Sequence, residues 1–91
     1  MCKLVKRDRF EVIRDILLII KENKNKIRYT PLLRKANLSS SRFKEYYEDL
    51  IKKEFIEEKI TKQKEISLTN KGFNFLEKYN VIVSFIEEFD L

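Results

Sequence analysis

The apolar residues of this chain keep a helical period as far as Lys53, lose it across residues 55–68, where Ile66 and Leu68 alternate with polar neighbours, and then return to a helical period. Spacings of three and four bury a face only in a helix, and alternation buries one only in a strand. Two helical blocks flanking one short alternating block leave room for a single hairpin, so the expected class is mainly α with a small β-hairpin, an α+β fold. One Gly and one Pro in 91 residues agree with a chain that makes few irregular turns. The length is that of one domain, which at this size buries only about 60–65% of its unfolded surface. Neither a repeat nor a linker divides it. Residues 8–68 are expected to form the body and 69–91 a long closing helix.

Local signals place the elements. Phe10, Ile13, Ile16, Leu17 and Ile20 mark one face of a first helix over 8–23, with Asp8 as N-cap and a polar break at 23–25. Ile27-Arg28-Tyr29 reads as a brief extended piece. Thr30 then caps a short helix over 31–36, opened by Pro31, with Leu32, Leu33 and Ala36 turned inward. Asn37 suits a left-handed turn. Ser39 caps a third helix over 40–53, and Leu38 and Phe43 bracket the cap as a hydrophobic staple. Its buried stripe is Phe43, Tyr46, Tyr47, Leu50 and Ile51. Residues 55–60 and 64–68 read as two strands joined by Thr61-Lys62-Gln63. Thr69 caps the last helix, over 70–89, with Leu68 and Phe73 as a second staple.

Composition excludes most chemistry. The chain has no His, the commonest general base and metal ligand. Its one cysteine, Cys2, has no partner for an internal disulfide or a CxxC site. No nucleophile–base pair, metal cluster or Gly-rich phosphate loop appears, so no enzyme activity, cofactor or metal is expected. The run Ile16-Leu17-Leu18-Ile19-Ile20 is far short of the ~20 apolar residues that span a membrane, and the expected location is cytoplasmic and nucleoid-associated.

Charge points to a polyanion. Residues 1–71 carry 19 Lys/Arg against 11 Asp/Glu, whereas residues 72–91 carry one Lys against four acids. The excess of basic charge therefore lies within residues 1–71, and a basic body favours a polyanion such as double-stranded DNA.

The order helix, extended piece, helix, turn, helix, strand, basic loop, strand, long helix is the layout of a winged helix-turn-helix. A helix fits the major groove, and a basic loop beside it reaches backbone or minor groove. On the third helix, Ser41, Glu45, Glu48 and Lys52 face outward, with Arg42 and Lys44 on the flanks. Its N-terminal part supplies Ser40, Ser41, Arg42, Lys44 and Glu45 as base and phosphate contacts. Arg42 suits a guanine edge, Glu45 a cytosine amine, and Lys44 a phosphate. Lys59, Lys62, Gln63 and Lys64 are the wing contacts, and Arg28, Thr30 and Arg34 add the backbone. Glu45, Glu48 and Asp49 oppose phosphate on or near this face, and they favour a second reading, an interaction module on the same fold without DNA. The last helix carries more apolar surface than one small body covers. Leu76, Tyr79, Val83 and Ile86 fall at spacings suited to a partner helix, which implies a homodimer.

The stretch Arg34-Lys35-Ala36-Asn37-Leu38-Ser39, with Phe43-Lys44-Glu45-Tyr46 and Leu50-Ile51-Lys52-Lys53, resembles small archaeal winged-helix DNA-binding proteins. Phe55-Ile56 and Leu68-Thr69-Asn70-Lys71-Gly72 continue the likeness, the latter similar to the Leu-Thr-x-Lys-Gly that opens the last helix of many winged-helix regulators. An archaeal virus is an equally suitable source. The resemblance implies dimerisation through the C-terminal helix and a role as transcriptional regulator or chromatin-associated protein. The short last helix departs from the long antiparallel coiled coils of such proteins and suggests a more compact contact.

Overall fold

Asp8 opens the first helix with a reciprocal capping box, its Oδ1 accepting from the Glu11 N–H at 2.8 Å while its own N–H donates to Glu11 Oε1 at 3.2 Å. The computed structural model describes residues 8–91; Cys2 lies outside them. Helix α1 (Arg9–Glu22) buries Val12, Ile13, Ile16, Leu17 and Ile20. Phe10 departs from the expected stripe and is 59% exposed. It sits in the first turn, on the flank shared with the last helix, where the two helices leave a groove rather than a closed contact.

The polar break turns the chain through two left-handed residues, Lys24 and Asn25. The Asn25 side-chain oxygen accepts from the Leu68 N–H at 2.7 Å and so ties this turn to the hairpin. Ile27 is extended, as expected, and exchanges both backbone hydrogen bonds with Ile66.

Helix α2 (Tyr29–Ala36) starts two residues earlier than Thr30-Pro31 suggested. Its N-cap is Arg28, which makes no side-chain cap, so Thr30 is not the capping residue. Tyr29 is drawn into the helix because its ring stands edge-on to Phe43 at 5.2 Å and to Tyr47 at 5.0 Å. Pro31 remains in the first turn, where a missing N–H costs nothing. Asn37 is left-handed, and Ser39 Oγ accepts from the Arg42 N–H at the start of α3 (Ser40–Lys52). Phe43, Tyr47 and Leu50 are the buried stripe of α3, while Tyr46 and Ile51 are half-buried at its edges.

Strands β1 (Ile56–Ile60) and β2 (Lys64–Leu68) pair antiparallel, Ile56 opposite Leu68 and Ile60 opposite Lys64. Only the base of this hairpin is buried, through Ile56, Ile66 and Leu68; its tip projects into solvent.

Helix α4 (Asn70–Glu88) is clasped to the end of α3. The Thr69 hydroxyl donates to the Glu54 carbonyl at 2.5 Å and accepts from the Gly72 N–H at 3.2 Å, and the Thr69 N–H donates to the Phe55 carbonyl at 3.1 Å. Lys71 Nζ donates to the Lys53 carbonyl at 2.9 Å and lies 4.9 Å from the Phe55 ring centroid. Its cation thus meets both the C-terminal end of the α3 dipole and an aromatic face. Leu76 is the last α4 side chain in the core; it is 5% exposed, so it belongs to this chain's own interior and not to a partner surface. Beyond it, Val81, Ile82, Phe85, Ile86 and Phe89 are exposed. No helix among the described residues is long and apolar enough to cross a membrane.

Candidate nucleic-acid interface

After the left-handed turn at Asn37, the first turns of α3 bury Phe43 and leave the other side open to solvent. Ser40, Ser41, Arg42, Lys44 and Glu45 are all exposed there. The Arg42 guanidinium lies 6.0 Å from the Tyr46 ring centroid, one turn on, which steers it along the helix flank.

The acids of this face do not act alike. Asp49 is engaged by Arg9 at 3.0 Å and by Lys53 at 3.2 Å. Its charge is met from α1 and from the end of α3, so it does not stand as a bare repulsive group. Glu45 and Glu48 remain exposed on α3.

Between α3 and the hairpin runs a cleft of about 540 Å³. Lys44, Glu48 and Lys52, one turn apart along α3, form one wall, and Lys64 and Glu58 of the hairpin form the other. Tyr29 also lines the cleft. Within it the Tyr47 hydroxyl donates to the Glu58 carboxylate, and Lys64 Nζ stands 3.6 Å from the same carboxylate. Burial, and next the hydrogen bond to Glu58, push the Tyr47 phenol well above its usual range. It therefore stays protonated and keeps donating.

Strand alternation divides the expected wing residues. Glu58, Ile60, Lys64 and Ile66 share one face of the hairpin, whereas Lys59 is paired opposite Glu65 on the other. Lys59 therefore does not join Lys64; it lines a separate depression with Glu57, Glu65 and Asn25. Lys62 and Gln63 are exposed at the tip between them. Thr30 and Arg34 are exposed on α2 and Arg28 at its N-cap, where Arg28 borders a third depression with Lys26 and Pro31. Lys52, Glu48, Tyr29, Tyr47, Ile51 and Glu58 are cleft members that the expected contacts omitted. The four-residue spacing Lys44-Glu48-Lys52 was the available signal for the first; Glu58 enters only through the hairpin's register.

A second surface lies at the α1–α4 seam, where Phe10, Phe75, Tyr79, Ile82, Val83 and Ile86 border an apolar groove of about 470 Å³. It gathers three of the four expected interface residues and adds Phe10 from α1. Arg14 lies 5.6 Å from the Tyr79 ring centroid, yet burial outweighs its charge and raises the Tyr79 phenol. Among the described residues no group of His, Cys, Asp and Glu is placed to hold a metal ion.

A family model described as winged helix-turn-helix matches residues 6–87. The fold is similar to the crystal structure of SSV1 F-93, a winged-helix protein of an archaeal virus, with a TM-score of 0.66 at 22% identity. The likeness covers 96% of this chain and 99% of that one. No curated protein sequence matches the chain.

Proposed function

The chain belongs to the winged helix-turn-helix family, and on that premise we propose that it binds duplex DNA as a homodimer and acts without chemistry, as a transcriptional regulator or chromatin-associated protein. The observation that carries this reading is the cleft: three lysines, Lys44, Lys52 and Lys64, stand on two elements around one channel beside the exposed start of α3. In this reading the first turns of α3 enter the major groove. Arg42 meets a guanine edge and Glu45 accepts from a cytosine amine, while Ser40 and Ser41 contact edges or phosphate. Lys44, Lys52 and Lys64 hold the backbone along the cleft, Lys62 and Gln63 reach past it, and Arg28, Thr30 and Arg34 add contacts from α2. The apolar α4 surface, with Phe10, joins two copies, which presents two α3 helices to two half-sites.

The experiment is binding to a mixed-sequence duplex across a range of salt concentrations. A fall of log K against log salt with slope about −0.9 per contacted phosphate supports the reading. Absence of binding at low salt overturns it. The exposed Glu45 and Glu48 favour the second reading, a protein-interaction module, and that result would select it.

A further inference from the structure

Two acids line the lysine-bearing cleft among the described residues, Glu48 and Glu58, and Glu58 is anchored there. It is held from two sides, by the Tyr47 hydroxyl from α3 and by Lys64 at 3.6 Å, and its side chain is 29% exposed. Tyr47 is itself fixed, stacked on Phe43 and edge-on to Tyr29, so the carboxylate cannot swing away without losing a well-placed donor. A carboxylate so fixed among lysines offers Lys64 what a phosphate oxygen would: negative charge and an acceptor at ion-pair distance. Glu45 and Glu48 repel phosphate only through their field; Glu58 in addition occupies a cation that the DNA backbone would use.

We infer that Glu58 is a built-in competitor of the DNA backbone: it holds Lys64 in the free protein, and a phosphate entering the cleft must displace it. The inference rests on the DNA-binding reading and deepens it. Its consequence is an affinity kept below what the lysines alone would provide, in a protein whose contacts must also let go. Tyr47 gives the displaced carboxylate a partner to stay with, so exchange at Lys64 does not require the hairpin to leave α3.

The test is Glu58→Gln, which removes the charge but keeps an oxygen to accept from Tyr47. Duplex affinity should rise about two- to fivefold, the worth of one exposed ion pair that DNA no longer has to break, with the log K against log salt slope little changed, because Lys64 meets phosphate in both proteins. In a Lys64→Ala background the same change should give little gain. An equal gain with and without Lys64 would reduce Glu58 to one more source of negative field and overturn the competitor role. So would an unchanged affinity in Glu58→Gln when the parent protein binds DNA. A parent protein that binds no duplex at low salt overturns the DNA-binding reading first, and this inference with it.

Discussion

Gly72 lies directly beneath the carbonyl of Phe55, so close that a Cβ on residue 72 would overlap that oxygen. The carbonyl is fixed, because it accepts the Thr69 N–H at 3.1 Å, and the neighbouring Glu54 is held in a left-handed conformation with its carbonyl bonded to the Thr69 hydroxyl. The glycine is there for close approach; its φ is not positive. Leu68-Thr69-Asn70-Lys71-Gly72 is thus a clasp: threonine and lysine bind the carbonyls at the end of α3, and glycine lets the helix come near enough.

Gly72→Ala should therefore destabilise the fold by about 1–3 kcal/mol, the usual cost of forced overpacking, although alanine is the better helix former. Denaturant unfolding of the two proteins measures it. Equal or greater stability in the variant would mean that the α3–α4 clasp yields without cost.

The parts of this structure that were legible in the sequence are those decided within a few residues. Asp8 with Glu11, Ser39 and Thr69 cap their helices through contacts three residues away, and Asn37 adopts its own left-handed turn. Positions decided by distant partners were less legible. Tyr29 joins α2 because of rings on α3. Leu76 is interior, and Phe10 exposed, according to where α4 crosses α1. Lys59 and Lys64 part company through the strand register, which no count of lysines reveals.

The raised Tyr47 phenol makes folding stability fall at alkaline pH. An unfolded tyrosine ionises near pH 10, and the folded one above that. Its contribution is therefore fully present below about pH 10 and is lost as pH rises toward the folded value. Tyr47→Phe should be less stable at neutral pH by about 1–2 kcal/mol, for loss of a hydrogen bond to a charged acceptor. Its stability should also fall less steeply than that of the parent above pH 10. Denaturation midpoints of both proteins from pH 8 to 11 give the comparison; parallel curves would refute the raised phenol of Tyr47.

Lys52 and Lys59 provide a matched pair, equal in charge and both exposed, one in the cleft and one on the far face of the hairpin. Lys52→Ala should reduce the salt slope of duplex binding by about 0.9, and Lys59→Ala should change it by much less. Equal reductions would mean that DNA responds to overall charge and not to the cleft.

Arg42 carries the sequence reading if α3 enters the major groove. Its replacement by alanine should cost about 1–3 kcal/mol on a preferred site and narrow the gap between preferred and scrambled duplexes. Affinities lowered equally on both would return Arg42 to a phosphate role.

The α1–α4 groove leads to the last prediction. Ile82, Phe85, Ile86 and Phe89 are each more than 40% exposed on one helix, and Tyr79 and Val83 are half-buried beside them. An apolar surface of this kind marks an interaction site. The proposed homodimer would cover it with a second copy, since one chain offers both a groove and an exposed apolar helix end. Light scattering should give the parent protein twice the 11.1 kDa chain mass, and its unfolding temperature should rise with concentration. Val83→Asp with Ile86→Asp should halve the mass and remove that concentration dependence. Phe10→Ser should weaken the dimer from the α1 side. None of these side chains lies in the core, so the monomeric variants should keep their helical content. A parent protein monomeric at high micromolar concentration would refute the dimer while leaving the cleft beside α3 untouched.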